Sequence, residues 1–385
     1  MNGSSLKPPV LHVYEDYKWT GPSGPVARLC RELQDRGWPV ELATCHGPYN
    51  PHRDRLNQRA REMGLTVHDD LYFQSEPNVR KNARDIERLM QIMRQGKHAL
   101  VHAHGSWDHV LAWRAARLLP RYIPVVRTEH KGRTYHPLFH QLQFSSFMTD
   151  YLVVLSNHFR REARRTLWRA PNTIYSVPGG VDCEEYAPMD PPPGKREEFG
   201  LSENDIVMGI VARIQPHRRW GALLDAFELV RRQNSRIKLV VLGTGTHRER
   251  VLDRPIEEKG LQDTVIPLGY RREDYEEVLA MLDGGMLLVP GSDGSCRAAM
   301  EIAAMGKPLV VSERGVLPEL VGDGEAGLSV PDTPEDLAEA VLEMAESRES
   351  MRKWGTQARA RMERTFSLTV QGDRMERVYA HIMQG

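Results

Sequence analysis

The sequence predicts an α/β protein made of two doubly wound parallel sheets, and three observations predict it. Short apolar runs alternate with longer segments of helical period along nearly all of the 385 residues, the rhythm of strands joined by crossover helices. That length exceeds one ordinary core, so two domains are expected. The alternation also starts afresh after the proline-rich stretch Pro188 to Gly194, which reads as a linker. The expected division is 1–187, 188–367 and a last helix within 368–385 that packs back on the first domain.

Composition narrows the class. Lysines plus arginines and aspartates plus glutamates number 52 each. Residues 1–185 hold 26 cations against 19 acids and the remainder 26 against 33, an asymmetry that suits an anionic partner for the first half as well as it suits scattered surface charge. Cys30, Cys45, Cys183 and Cys296 show no C-x-x-C spacing, which argues against a disulfide framework or a zinc site. No apolar run approaches the ~20 residues that span a bilayer, and the N-terminus has no signal-like apolar core. A cytoplasmic protein is expected, with peripheral contact to an anionic membrane left open and no nucleic-acid partner.

In the first half, Val10 to Tyr14 reads as a strand. A loop with Gly21 and Gly24 follows, then a helix marked by Val26, Leu29, Cys30 and Leu33, then a strand from Val40 to Thr44. The two glycines do not make G-x-G-x-x-G; Gly24 would let backbone approach a ligand. Residues 50–97 are polar and Arg-rich, with one amphipathic helix at Val79 to Gln95. Strands at Ala99 to Ala103 and Pro124 to Thr128 run into His104 and into Glu129-His130-Lys131-Gly132. Both histidines thus stand at carboxyl ends of parallel strands, the edge where open α/β sheets bind ligands. A strand at Tyr151 to Leu155 precedes a basic helix from His158 to Arg169, and Ile174 to Pro178 completes the series.

In the second half, Ile206 to Ala212 is a strand whose exit carries Arg213 and Arg218 before a helix at Ala222 to Arg232. Two cations five apart across a strand-to-helix turn can clamp a diphosphate; without an anion nearby they are misplaced beside a positive helix end. Lys238 to Leu242 ends in Gly243-Thr244-Gly245, and Val265 to Leu268 in Gly269. Met286 to Val289 is a buried strand, 290–295 a turn-rich loop, Arg297 to Met305 a helix, and Leu309 to Ser312 the next strand. This loop and helix start offer backbone N–H groups to an anion. Asp293 lies in the loop and Glu301 eight residues later in the helix. The tail from Pro334 is helical, its last helix near Val370 to Met383.

These residues carry a resemblance. Asp293-Gly294-Ser295-Cys296-Arg297, followed by Glu301-Ile302-Ala303-Ala304-Met305-Gly306-Lys307-Pro308, resembles the EX7E segment of retaining GT-B glycosyltransferases, family 4 in particular, usually written E-G-F-G-L-x-x-x-E-A-M-A-x-G-x-P-V. Asp293 stands for the first Glu, as in the related trehalose-phosphate synthases, and Cys296 for the second Gly. Arg213 to Arg219 resembles G-R-L-x-x-x-K-G, with Arg218 for Lys and Arg219 for Gly. His104 and His130 match the segments D-V-V-H-x-H and P-V-V-x-T-x-H-G.

The resemblance implies a GT-B fold with two domains facing across a cleft. It implies retaining transfer from a nucleotide-diphosphate sugar to a glycan or lipid-linked acceptor, with no metal or other cofactor. Arg213 and Arg218 would meet the diphosphate and Glu301 the ribose. Asp293 would meet the sugar, with His130 on its other side and His104 near sugar or acceptor. Gly24, Gly243, Gly245, Gly294, Ser295, Cys296 and Arg297 would line the donor. Uridine as base and cell-envelope polysaccharide or lipopolysaccharide as product are the commonest assignments for such chains. A sugar-nucleotide epimerase on this fold, a phosphorylase, and a catalytically silent sugar-nucleotide-binding subunit stay open as alternatives; for the phosphorylase no pyridoxal phosphate lysine can be assigned.

Overall fold

The computed structural model describes residues 7–19, 23–47, 55–73, 78–130, 144, 146–167, 169–291 and 296–384. They form two compact units. The first runs to Gly180 and takes back the chain from Leu368; the second holds Val181–Gly291 and the residues up to Ser367. The proline-rich stretch before Lys195 lies inside the second unit. There Lys195 pairs with Asp274 at 2.7 Å, and Arg196 donates to the carbonyl of Met281 and to Asp283.

The first unit's strands are β1 (Val10–Tyr14), β2 (Val40–Cys45), β3 (Thr66–Leu71), β4 (Leu100–Ala103), β5 (Val125–Glu129), β6 (Tyr151–Val154) and β7 (Ile174–Ser176). Among the described residues they make one sheet in the order β3-β2-β1-β4-β5-β6-β7, every pair parallel. Every residue of β1, β4 and β5 is buried, as expected of central strands covered on both faces. The sequence reading places no strand in residues 50–78. β3 escapes it because it is an edge strand with a polar face: only Leu71 is buried, and Asp69 and Asp70 pair with Arg61 and Arg88.

Helices α1 (Ser23–Asp35), α2 (Leu56–Glu62), α3 (Val79–Gln95), α4 (Trp107–Leu118) and α5 (Asn157–Thr166) connect these strands. Val26, Leu29, Cys30 and Leu33 are the buried face of α1. Asn78 caps α3 by accepting from the Lys81 amide, and Ser156 caps α5 through Phe159; each such cap is worth about 1 kcal/mol. The basic stretch after β6 is not all solvated charge. Arg160 donates to the Ile174 carbonyl, and Arg169, buried, holds the carbonyls of Phe144, Thr149 and Asp150.

The second unit repeats the plan with β8 (Ile206–Val211), β9 (Ile237–Leu242), β10 (Val265–Gly269), β11 (Gly284–Leu287), β12 (Leu309–Ser312) and β13 (Gly327–Val330), in the parallel order β10-β9-β8-β11-β12-β13. Its helices are α6 (Trp220–Gln233), α7 (Arg254–Glu258), α8 (Tyr275–Ala280), α9 (Arg297–Ala304), α10 (Leu317–Val321), α11 (Pro334–Ala345) and α12 (Arg348–Arg361). The last helix, α13 (Leu368–Gln384), packs on α1 in the first unit. Tyr379 is fully buried there, and Arg36 bonds Asp373 at 2.5 Å. No described helix is long and apolar enough to cross a membrane.

Strand order reverses direction between β1 and β4, and again between β8 and β11. At such switch points the flanking crossovers leave on opposite faces and open a crevice beyond the strand ends. One arginine anchors the helix that serves the second crevice. Arg359 on α12 donates to the carbonyls of Ala304, at the end of α9, and of Tyr186 and Cys183, each at 2.8 Å. The guanidinium divides these bonds between Nη1 and Nη2 in a planar fork, which the single nitrogen of a lysine does not reproduce. Arg359→Lys should therefore lower the unfolding free energy by about 2 kcal/mol, read from denaturant melts; an unchanged midpoint would contradict this anchoring.

Candidate active site

In the second unit the predicted residues gather at the β8/β11 switch point. Arg218 ends a short 3-10 turn, Pro216–Arg218. Its Nη1 donates to the carbonyls of Val289 and Pro290 at 2.9 and 3.0 Å, so the loop after β8 is tied to the loop after β11. Arg213 is exposed just beyond β8. Gly243 and Gly245 back this segment. A Cβ on either would lie 2.0 Å from the Ala212 carbonyl oxygen or 1.9 Å from that of Ile214, so close backbone approach demands both glycines. Their observed task is to seat the strand exit that carries Arg213.

The two departures from the family pattern have one physical description. Arg219 has φ 65° and Cys296 φ 56°, the left-handed region that glycine adopts without penalty and other residues at roughly 1–2 kcal/mol. At both positions the backbone thus takes a conformation that favours glycine, although the residue carries a larger side chain. Arg219 points out to pair with Asp332 at 2.8 Å, and Cys296 is buried in the second unit's core. The Cys296 carbonyl accepts from the amides of Ala299 and Met300, so α9 starts directly after this turn.

Glu301 lies on α9 and is only 3% exposed. A buried carboxylate requires partners. Arg297, one turn earlier, places Nε 3.0 Å from Oε1, and the Tyr275 hydroxyl donates to Oε2 at 2.7 Å. Burial first, and then the charge of Glu301, push the Tyr275 hydroxyl well above its ordinary pKa, so it remains a donor. Tyr275 escaped the sequence reading; a tyrosine on an ordinary amphipathic helix carries no signal of its partner. Asp293, Gly294 and Ser295 lie outside the described residues, as do Lys131 and Gly132.

In the first unit, Gly24 is buried in the first turn of α1. His104 and His130 come together after β4 and β5, with His104 Nδ1 3.0 Å from His130 Nε2. Two histidines that the sequence reading passed over join them. His12 lies in β1 directly across from His102 in β4, and His12 Nδ1 is 2.9 Å from His104 Nε2. A polar residue inside an otherwise apolar central strand was the available signal. Nearby, Arg127 is buried between Asp108 and Glu129, at 3.7 and 3.4 Å. Burial, with Glu15 adding repulsion, pushes the Asp108 carboxyl up to about 8.

Ring nitrogens of His12, His102 and His104 lie within 4.8 Å of one another, close enough to consider a metal ion. The 2.9 Å separation of His12 and His104 is that of a donor and an acceptor; two nitrogens on one tetrahedral zinc stand about 3.3 Å apart. The hydrogen-bonded reading therefore fits better.

Burial pushes the His12 imidazole down to about 3 and those of His102 and His104 well below their usual value. In the unfolded chain these groups bind protons below pH ~6.5, whereas in the fold they do not. Folding stability should thus be complete above pH 6.5 and fall as pH drops, by on the order of 1 kcal/mol per histidine per pH unit. Thermal melts from pH 7.5 to 5 should show a steep loss; a flat profile would mean that these rings already share a charge in the fold.

With the geometry in place, comparison with known proteins is direct. Residues 25–185 match the family described as Glycosyltransferase Family 4, and residues 193–361 that described as Glycosyl transferases group 1. A D-inositol 3-phosphate glycosyltransferase of Stackebrandtia nassauensis is 32% identical over 339 residues, 79% of this chain and 74% of the relative. An N-acetyl-alpha-D-glucosaminyl L-malate synthase of Bacillus anthracis is 22% identical over 377 residues, 96% of both chains. Among solved structures, a glycosyltransferase of Rickettsia africae superposes with TM-score 0.83 at 16% identity, covering 99% of this chain and all of that one. An Anabaena protein solved with UDP superposes with TM-score 0.78 at 18% identity, covering 97% and 99%. The two parallel sheets are the Rossmann-like domains of the GT-B fold, and the chain belongs to glycosyltransferase family 4.

Proposed function

We propose that the chain is a retaining, metal-independent glycosyltransferase that moves a sugar from a uridine-diphosphate sugar to a glycan or lipid-linked acceptor of the cell envelope. The observation that carries this reading is the buried carboxylate Glu301, held by Tyr275 and Arg297 in the helix that follows the switch-point strand β11. A carboxylate fixed in this way accepts from a pair of neighbouring hydroxyls, as a ribose presents them. The uridine and envelope assignments draw on relatives: a galactosyltransferase of Escherichia coli named for a UDP-Gal donor and a diphosphoundecaprenol-linked acceptor, a lipopolysaccharide N-acetylglucosaminetransferase of Salmonella typhimurium, and the Anabaena fold neighbour bound to UDP.

In this reading the charge that grows on the leaving diphosphate is met by Arg213, Arg218 and the amides at the start of α9. Cations and dipoles held in place before the reaction lower its barrier because they need not reorganise during it. Asp293 and the Gly294 amide hold the sugar, and His130 contacts it. The sequence offers no obvious double-displacement nucleophile, and in this reading the acceptor returns on the face the diphosphate leaves. Membrane contact, if the acceptor is lipid-linked, would use the exposed Arg161, Arg164 and Arg165 of α5.

Acceptor-dependent release of nucleoside diphosphate from a panel of nucleotide sugars tests the activity; an epimerase or a silent subunit would show none. Division of labour between the two acids tests the site. Glu301→Gln should weaken the nucleotide sugar and the free nucleoside diphosphate alike. Asp293→Asn should spare the free diphosphate and lower turnover, since it loses stabilisation made at the reacting centre. Calorimetric loss of diphosphate affinity in Asp293→Asn as severe as in Glu301→Gln would overturn the assignment.

A further inference from the structure

Six side chains of the first unit stand in single file. Thr128 Oγ1 is 2.6 Å from His102 Nε2, and His102 Nδ1 is 2.6 Å from the Tyr379 hydroxyl. That hydroxyl is 3.0 Å from His12 Nε2. His12 Nδ1 meets His104 Nε2 at 2.9 Å, and His104 Nδ1 meets His130 Nε2 at 3.0 Å. Tyr379 and the rings of His12 and His102 are fully buried, and Thr128 and His104 are 3% exposed. The file leads from the core to His130, which is partly exposed. Every ring nitrogen of the three inner histidines is thereby engaged.

The chemistry of the links restricts the protons. A neutral imidazole donates from one nitrogen and accepts at the other, and a tyrosine hydroxyl has one proton to give. Each ring forces the direction of the next link, and Tyr379 does so as well when it spends its one proton within the file. Two unbroken arrangements result; a third, with both rings donating to the Tyr379 oxygen, leaves the hydroxyl proton without a partner in the file. In one of the unbroken two, every proton points towards His130, which accepts at Nε2 and carries its own proton on Nδ1. In the other, His130 donates from Nε2 and every link reverses. A positive charge on an inner ring would break the file and would be buried without a counter-ion among the described residues, which is costly.

We propose that His12, His102, His104 and Tyr379 are positioning residues for His130, making its tautomer depend on the whole file. The value of this for catalysis rests on the reading that His130 contacts the sugar: a single tautomer presents one known hydrogen-bonding polarity to a sugar hydroxyl. Tyr379 comes from α13, so the last helix of the chain reaches the ligand-binding edge of the first sheet through this file.

The test of the file itself needs no substrate. In the full chain labelled with 15N-histidine, long-range nitrogen–proton correlations report the tautomer of each ring, and His130→Gln assigns the His130 signals. The wild type should show neutral inner rings and one tautomer at His130. Tyr379→Phe keeps the aromatic packing but cuts the file three links away; His130 should then show comparable populations of both tautomers. Thr128→Val, which removes the far end without loss of volume, should shift His130 in the same sense and serves if Tyr379→Phe does not fold. An unchanged His130 signature in the folded variants, a charged inner imidazole at neutral pH, or a stoichiometric transition metal retained by the wild type would each overturn the proposal. Altered tautomers without any fall in kcat would leave the file standing and count against the sugar-contact reading of His130.

Discussion

Parallel pairing is the constraint from which the rest follows. Each strand of β1 to β7 and of β8 to β13 must be reached by a crossover, so all carboxyl ends in a sheet lie along one edge. Where strand order reverses, adjacent crossovers diverge and leave that edge open. The residues singled out for chemistry sit at these openings. His104 follows β4, which pairs with β1; Arg213 and Arg218 follow β8, which pairs with β11, the strand before α9 and Glu301.

The same burial that stabilises the sheets makes polar groups within them demanding. The two units answer in different ways. In the second, the buried Glu301 carboxyl is kept, with a guanidinium and a hydroxyl as its partners. In the first, the inner histidines stay neutral and satisfy one another, with Thr128 and Tyr379 closing the set. Under the proposed function, the Glu301 arrangement would serve as an acceptor for ligand hydroxyls. The histidine arrangement conveys hydrogen-bond direction over several side chains at no cost in buried charge.

Much of this was legible in the sequence because it depends on local pattern. Strands β1, β2, β4 to β12 and helices α1, α3 and α9 follow from apolar period and loop residues within windows of a dozen positions. The cation pair and the Asp293/Glu301 spacing were readable for the same reason. What escaped depends on distant partners. Tyr379 and His12 are 367 residues apart in the chain, and Tyr275 and Glu301 are 26 apart on separate helices. β3 escaped because an edge strand may be polar, as Asp69 and Asp70 are. The left-handed turns at Arg219 and Cys296 escaped because neither residue announces that conformation, and Arg169 looks like surface charge until the three carbonyls it serves are seen.

The central claim is that fixed protein charge, not a divalent ion, meets the leaving diphosphate and that the acceptor returns on the same face. The most direct measurement is the anomeric proton coupling of freshly formed product, followed by NMR in excess EDTA with an α-linked uridine-diphosphate sugar. The account predicts an α-linked product formed at undiminished rate. A β-linked product, or activity abolished by EDTA and restored by manganese, would contradict it.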